Sequence, residues 1–162
     1  MTALDESNET QGKPYTRKQM GDACEMLIAA ELTLAGVPAL KVPDNWPGYD
    51  VIAQPPGLNE PLRISVKSRT FKKGAAFVEY LETDTFDWLA IVLLNCPDHS
   101  RRIFLIPRAV ADAKARKNKP TTKTAKERYW PIDQIADVFP EFEDNFSLAP
   151  EGDGSILTPC KR

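Results

Sequence analysis

One stretch constrains the fold more than any other: DWLAIVLLN, residues 87–95. Its unbroken apolar run, Leu89 to Leu94, is far short of the about 20 residues a membrane-crossing helix needs. It also lacks the apolar/polar alternation of a strand with one wet face, so it reads as a central strand covered on both sides. Such a strand needs neighbours beside it and layers above and below, which predicts an α/β or α+β domain built on a mixed sheet.

The flanking sequence supplies those parts. Thr16 is the expected N-cap of a helix from about Arg17 to Ala35, ended by Gly36 and Pro38. Met20, Cys24, Leu27, Ile28 and Leu34 recur at helical spacing and predict its buried stripe. VPALKV reads as a first strand, PDNWPG as a turn, YDVIAQ as a second strand and LRISVKSR as a third, reached through the hairpin connection PPGLNEP. AAFVEYL is a short fourth strand, and RRIFLIP follows the loop CPDHS as another. RAVADAKARKNK reads as a basic helix, TTKTAKERYW as a mobile loop, and PIDQIADVF and EFEDNF as short closing helices. No internal repeat is present. At 162 residues the chain is expected to be one domain over 16–148, with a disordered arm at 1–15 and a flexible tail at 149–162.

Charge is unevenly spread. Residues 61–130 hold fifteen Lys/Arg against seven Asp/Glu, while 1–60 hold four against nine and 131–162 two against seven. A basic middle between acidic ends suits a localised anion-binding surface. Three widely spaced cysteines, Cys24, Cys96 and Cys160, with no C-x-x-C, argue against zinc and disulfide frameworks and favour a reducing, cytoplasmic setting. The polar, acidic N-terminus matches neither a signal nor a transit peptide. A single histidine, His99, excludes a multi-histidine metal site and makes a histidine-based triad a poor fit. Trp46, Trp88 and Trp130 read as packing residues, although Trp46 in its Pro/Gly turn is placed to reach a substrate.

Three elements carry chemistry-bearing residues. GDACE puts Gly21 and Glu25 one turn apart on the first helix. GYDVI puts Asp50 at the start of a strand. ISVK puts Ser65 and Lys67 on one face of the next. A short hairpin between those strands would bring Asp50 beside Ser65 and Lys67, and the helix packed on the sheet would add Glu25.

In order and spacing these elements resemble the PD-(D/E)xK nuclease superfamily, and more closely its Holliday-junction resolvases and group I intron homing endonucleases. The resemblance runs from Gly21 to about Arg69. It implies a restriction-endonuclease-like domain, a mixed central sheet with helices on both faces, that hydrolyses DNA phosphodiester bonds with Mg²⁺ or Mn²⁺. Asp50 would be the metal-binding aspartate, Glu25 the helix acid completing the metal site, and Lys67 the lysine near the attacking water. Ser65 stands where the family carries Glu, Asp or Gln. One ion remains feasible, because Mg²⁺ keeps several waters and takes one or two carboxylates. Asp50, Glu25, the Val66 carbonyl and the scissile phosphate would hold it, with Ser65 acting through water. Glu79, on the next strand, is the nearest candidate for a displaced acid, and Asp44 is discounted because it lies in a turn. Arg63, Arg69, Lys72, Lys73, Arg108, Lys114 and Lys117 would bind the DNA backbone, helped by Arg116, Lys119, Lys123, Lys126 and Arg128. Related resolvases pair, so the resemblance also allows a homodimer; no membrane partner is expected. The competing reading, prompted by Ser65, is a nuclease fold without catalysis that binds nucleic acid or protein.

Overall fold

The computed structural model describes residues 14–152. Most of the expected arm and tail, and Cys160 with them, therefore lies outside the described residues. Helix α1 spans Arg17–Leu34. It starts on a reciprocal cap: the Gln19 N–H donates to Thr16 Oγ1 at 3.1 Å, and the Thr16 N–H donates to Gln19 Oε1 at 2.9 Å. Its buried residues are Cys24, Ile28, Ala29 and Leu32. Leu34, expected in that stripe, is 83% exposed. It lies two residues past Leu32, about 200° around the helix, so the spacing 24–28–32 sets the buried face.

Five strands form the main sheet: β1 (Ala39–Lys41), β2 (Val51–Ala53), β3 (Leu62–Thr70), β5 (Trp88–Cys96) and β6 (His99–Pro107), in the order β1-β2-β3-β5-β6. All neighbours are antiparallel except β3 and β5, which run parallel. The sheet is therefore mixed, and β5 lies inside it with Trp88 to Leu93 buried. Its side chains divide between two cores, as a strand covered on both sides requires. Trp88, Ala90 and Val92 meet α1, together with Ile64, Ile103 and Leu105. Leu89, Ile91 and Leu93 face the other way, with Phe104 and Ile106.

That second face is roofed differently from expectation. β4 (Phe77–Leu81) does not join the main sheet. It pairs with β8 (Glu127–Pro131), which pairs with β7 (Arg116–Lys117), in a separate three-stranded sheet. Val78, Tyr80 and Trp130 on its inner face close the core, alongside Ile132, Ile135 and Phe142 from the short helical turns Ile132–Gln134, α3 (Ile135–Val138) and Pro140–Phe142, and Phe139 between the last two. Helices thus share this face with a sheet. The basic helix, α2 (Arg108–Lys114), is shorter than expected, because Arg116 and Lys117 are drawn into pairing with Tyr129 and Arg128. The segment read as a mobile loop contains a core strand, whose Trp130 indole N–H donates to the Lys114 carbonyl at 3.1 Å. Among the described residues no helix is long and apolar enough to cross a membrane.

Candidate functional site

The site is built where β2 and β3 part. Their register ends at Val51↔Ile64, and Asp50 is the next residue out. Its N–H still donates to the Ile64 carbonyl at 2.9 Å. Beyond that point its side chain takes over the strand's role, because the Val66 N–H donates to Asp50 Oδ2 at 2.8 Å. Alternate residues of a strand point N–H and C=O to the same side. Ile64 and Val66 address β2, whereas Arg63 addresses the other side, its carbonyl accepting from the Asp87 N–H at 2.8 Å. The Val66 carbonyl therefore opens on the Asp50 side of β3.

Side chains alternate as expected. Ile64 and Val66 belong to the core under α1, so Ser65 and Lys67 project from the opposite face. Ser65 is 6% exposed. Lys67 is half-buried and has no hydrogen bond or ion pair among the described residues. An ammonium group without a partner, half out of water, is uncommon on a strand.

Glu25 approaches Asp50 from α1, on the face of the sheet opposite to the one Ser65 and Lys67 occupy. Burial pushes its carboxyl up, and the nearby Asp50 charge pushes it further, while Lys41 opposes both. Two carboxylates 25 residues apart in sequence are thus within electrostatic range. Lys41 was not singled out by the sequence. Its Nζ lies 3.6 Å from Glu25 Oε1 and 2.6 Å from Asp44 Oδ1. Lys18 approaches Asp44 at 2.9 Å and Asp22 at 3.4 Å. Asp44, hydrogen-bonded by Lys41 and Lys18, is held down at about 2. The signal for Lys41 lay in its strand: Ala39 belongs to the core under α1, so Lys41, two residues on, points at the same helix.

Other expected residues lie elsewhere or are already engaged. Glu79 stands on the exposed outer face of β4, opposite Tyr129, and does not replace the missing acid. Arg63 grips Asp87 with Nε and Nη2, each at 3.1 Å. Arg69 donates to the carbonyls of Phe77 and Ser68. Arg108 sits over Phe86, 4.2 Å from the ring centre, and bonds Asp112. Lys114 bonds Glu141 and the Val138 carbonyl, and the buried Arg128 pairs with Glu82. Lys72, Lys73 and Lys117 remain exposed and unpaired.

No group of three or more His, Cys, Asp or Glu side chains is arranged around a metal position among the described residues. The oxygen donors on this edge are the Glu25 and Asp50 carboxylates and the Val66 carbonyl. All are hard oxygens of the kind Mg²⁺ or Mn²⁺ accepts when waters complete the shell. The set fits one hydrated ion and is too poor in charge for two.

Among solved structures similar to this chain are two nucleases. One is a bacterial homing endonuclease, I-Ssp6803I, 17% identical over 70% of this chain and 89% of its own, with a TM-score of 0.47. Another is Hjc, a Holliday junction resolvase from the archaeal hyperthermophile Archaeoglobus fulgidus, 19% identical over 70% of this chain and 88% of its own, with a TM-score of 0.42. No protein-family model matches the chain, and no curated protein matches its sequence significantly.

Proposed function

We propose that the protein is a metal-dependent nuclease hydrolysing DNA phosphodiester bonds. The observation that carries this reading is the meeting of Glu25 with Asp50 at the open edge of β3, on the strand that bears the unpaired Lys67. Bound there, Mg²⁺ or Mn²⁺ would polarise a phosphate and acidify a water. Asp50 is held by the Val66 N–H through Oδ2, which fixes the carboxylate and leaves Oδ1 for an ion. Glu25 supplies the second charge once it exchanges its Lys41 contact. Lys67, with no internal partner, offers its ammonium group to the phosphate as charge develops. Ser65 adds an oxygen but no charge, which favours a single ion. Lys72, Lys73, Lys117, Lys119, Lys123 and Lys126 are free to meet the phosphate backbone. Arg63, Arg69, Arg108 and Lys114 are occupied within the fold.

The test is incubation with plasmid, branched and single-stranded DNA plus Mg²⁺ or Mn²⁺. The wild type should cut at least one of them, and Asp50→Ala and Lys67→Ala should each lower the rate about 100-fold or more. No cleavage by the wild type, or unchanged cleavage by both variants, overturns the assignment.

Two observations favour a second reading, a nuclease fold that binds without cutting. Ser65 fills the expected acid position, and Lys41 already supplies Glu25 with a cation at 3.6 Å. That reading predicts salt-sensitive DNA binding with no cleavage under any divalent ion.

A further inference from the structure

The turn between β1 and β2, residues 42–50, carries the most exposed aromatic side chain near the candidate site. Trp46 is 49% exposed, whereas Trp88 and Trp130 are 6% and 1% exposed. The half-exposed indole presents a large, flat apolar face to solvent. The turn itself is well fixed. The Trp46 N–H donates to the Pro43 carbonyl at 2.9 Å, and Pro43 and Pro47 limit the backbone on both sides. Asp44 is bound by Lys41 and Lys18. Gly48 has φ +92°, and a Cβ there would lie 2.6 Å from Thr85 Oγ1, so the chain lies directly on the segment ahead of β5.

The indole is also supported. Tyr49 packs edge-on against it, with ring centres 6.3 Å apart and planes at 72°. Tyr49 in turn forms one wall of an open cleft of about 610 Å³, with Ile52, Leu58, Pro61, Arg63 and Asp87 among its other lining groups. The cleft holds no free cation. Its one guanidinium is bound to Asp87, and Glu60 adds another acid to the lining. A phosphate would be repelled there, whereas a neutral aromatic ring would be accepted. Trp46 is four residues ahead of Asp50, which limits their Cα separation to about 15 Å. Asp44, two residues from Trp46, shares Lys41 with Glu25, which ties the turn to the acid pair.

We infer that Trp46, backed by Tyr49, stacks on an unpaired nucleobase beside the scissile phosphate, so that the protein selects DNA with a single-stranded or unstacked nucleotide over continuous duplex. This rests on the nuclease reading for the position of the phosphate. Stacking requires a free base face, which a continuous duplex does not present and a single strand, flap or junction does.

The test is read in binding, without cleavage. The full-length protein is titrated in EDTA with a labelled thymidine oligonucleotide and with a blunt duplex of equal length. Affinity is followed by anisotropy and indole emission by fluorescence, with circular dichroism confirming that each variant is folded. The oligonucleotide should quench wild-type emission and the duplex should not. Trp46→Ala should weaken the oligonucleotide about 5- to 100-fold and leave the duplex within about twofold, and Trp46→Phe should retain most of the affinity. An unquenched wild type, or equal losses on both DNAs in Trp46→Ala, overturns the inference. If the selective loss stands while Asp50→Ala and Lys67→Ala cut like wild type, the nuclease assignment of these residues fails and the stacking site survives.

Discussion

Glu25 and Asp50 carry like charge at close quarters, and holding them together works against stability. The Glu25 carboxyl is raised above its ordinary 4.5 by burial and by Asp50. A raised acid favours the protonated folded form, so its stabilising contribution is complete below pH 4.5 and is lost as pH rises above it. Removing the Asp50 charge should relieve part of that loss. Asp50→Asn keeps an oxygen to accept the Val66 N–H, so its stability at pH 7 should equal or exceed wild type, and the Glu25 carboxyl should titrate lower by NMR. Asp50→Ala strands the Val66 N–H and should lose about 1–3 kcal/mol in urea denaturation. An Asn variant as unstable as the Ala variant would show that the carboxylate is structural. The acids themselves were legible in sequence, because G-x-x-x-E on a helix and Tyr-Asp before an apolar strand are local patterns. Lys41 was not. Its importance comes from a contact with Glu25, sixteen residues away, that only the packing of α1 on β1 creates.

At the scale of elements, the sequence was most informative where pattern and structure share a period. The β2–β3 hairpin, the capped α1 and the central β5 follow from alternation, capping residues and an unbroken apolar run. The second sheet was harder to foresee. Glu127–Pro131 is polar on one side because Tyr129 faces outward while Arg128 and Trp130 face in, and its lysine-rich approach resembles a loop. Pairing with β4, some fifty residues earlier, decides it, and no local signal records such a partner. Consequently Glu79, read as a neighbour of β3, sits on another sheet. The turn before β2 shows how elements position the site. Gly48→Ala must adopt a left-handed backbone and displace Thr85, so it should destabilise by about 1–3 kcal/mol. Because that turn sets Asp50, cleavage should fall further than the stability loss explains. Wild-type activity in a folded Gly48→Ala protein would detach the turn from the site.

Across the whole molecule, the cations of the basic middle divide between those paired within the fold and those left without a partner among the described residues. Many of its cations are engaged within the fold: Arg63 with Asp87, Arg108 with Asp112 and over Phe86, Lys114 with Glu141, and Arg128 with Glu82. Composition reports charge but not whether each charge is already paired. Lys67, Lys72, Lys73, Lys117, Lys119, Lys123 and Lys126 have no side-chain partner among the described residues, and the Asp50 charge reaches Glu25 near the end of the β2–β3 pairing. On the proposed reading, Glu25 and Asp50 would meet a cation and Lys67 a phosphate. The most direct test is the melting temperature of the metal-free protein titrated with Mn²⁺ and no DNA. Wild type should rise in a saturable way, by several degrees at 100 times the dissociation constant, since binding at that excess adds about 2.7 kcal/mol, and the rise should vanish in Asp50→Asn and Glu25→Gln. A wild-type melting temperature unmoved by Mn²⁺, or an equal rise in both variants, would contradict the account.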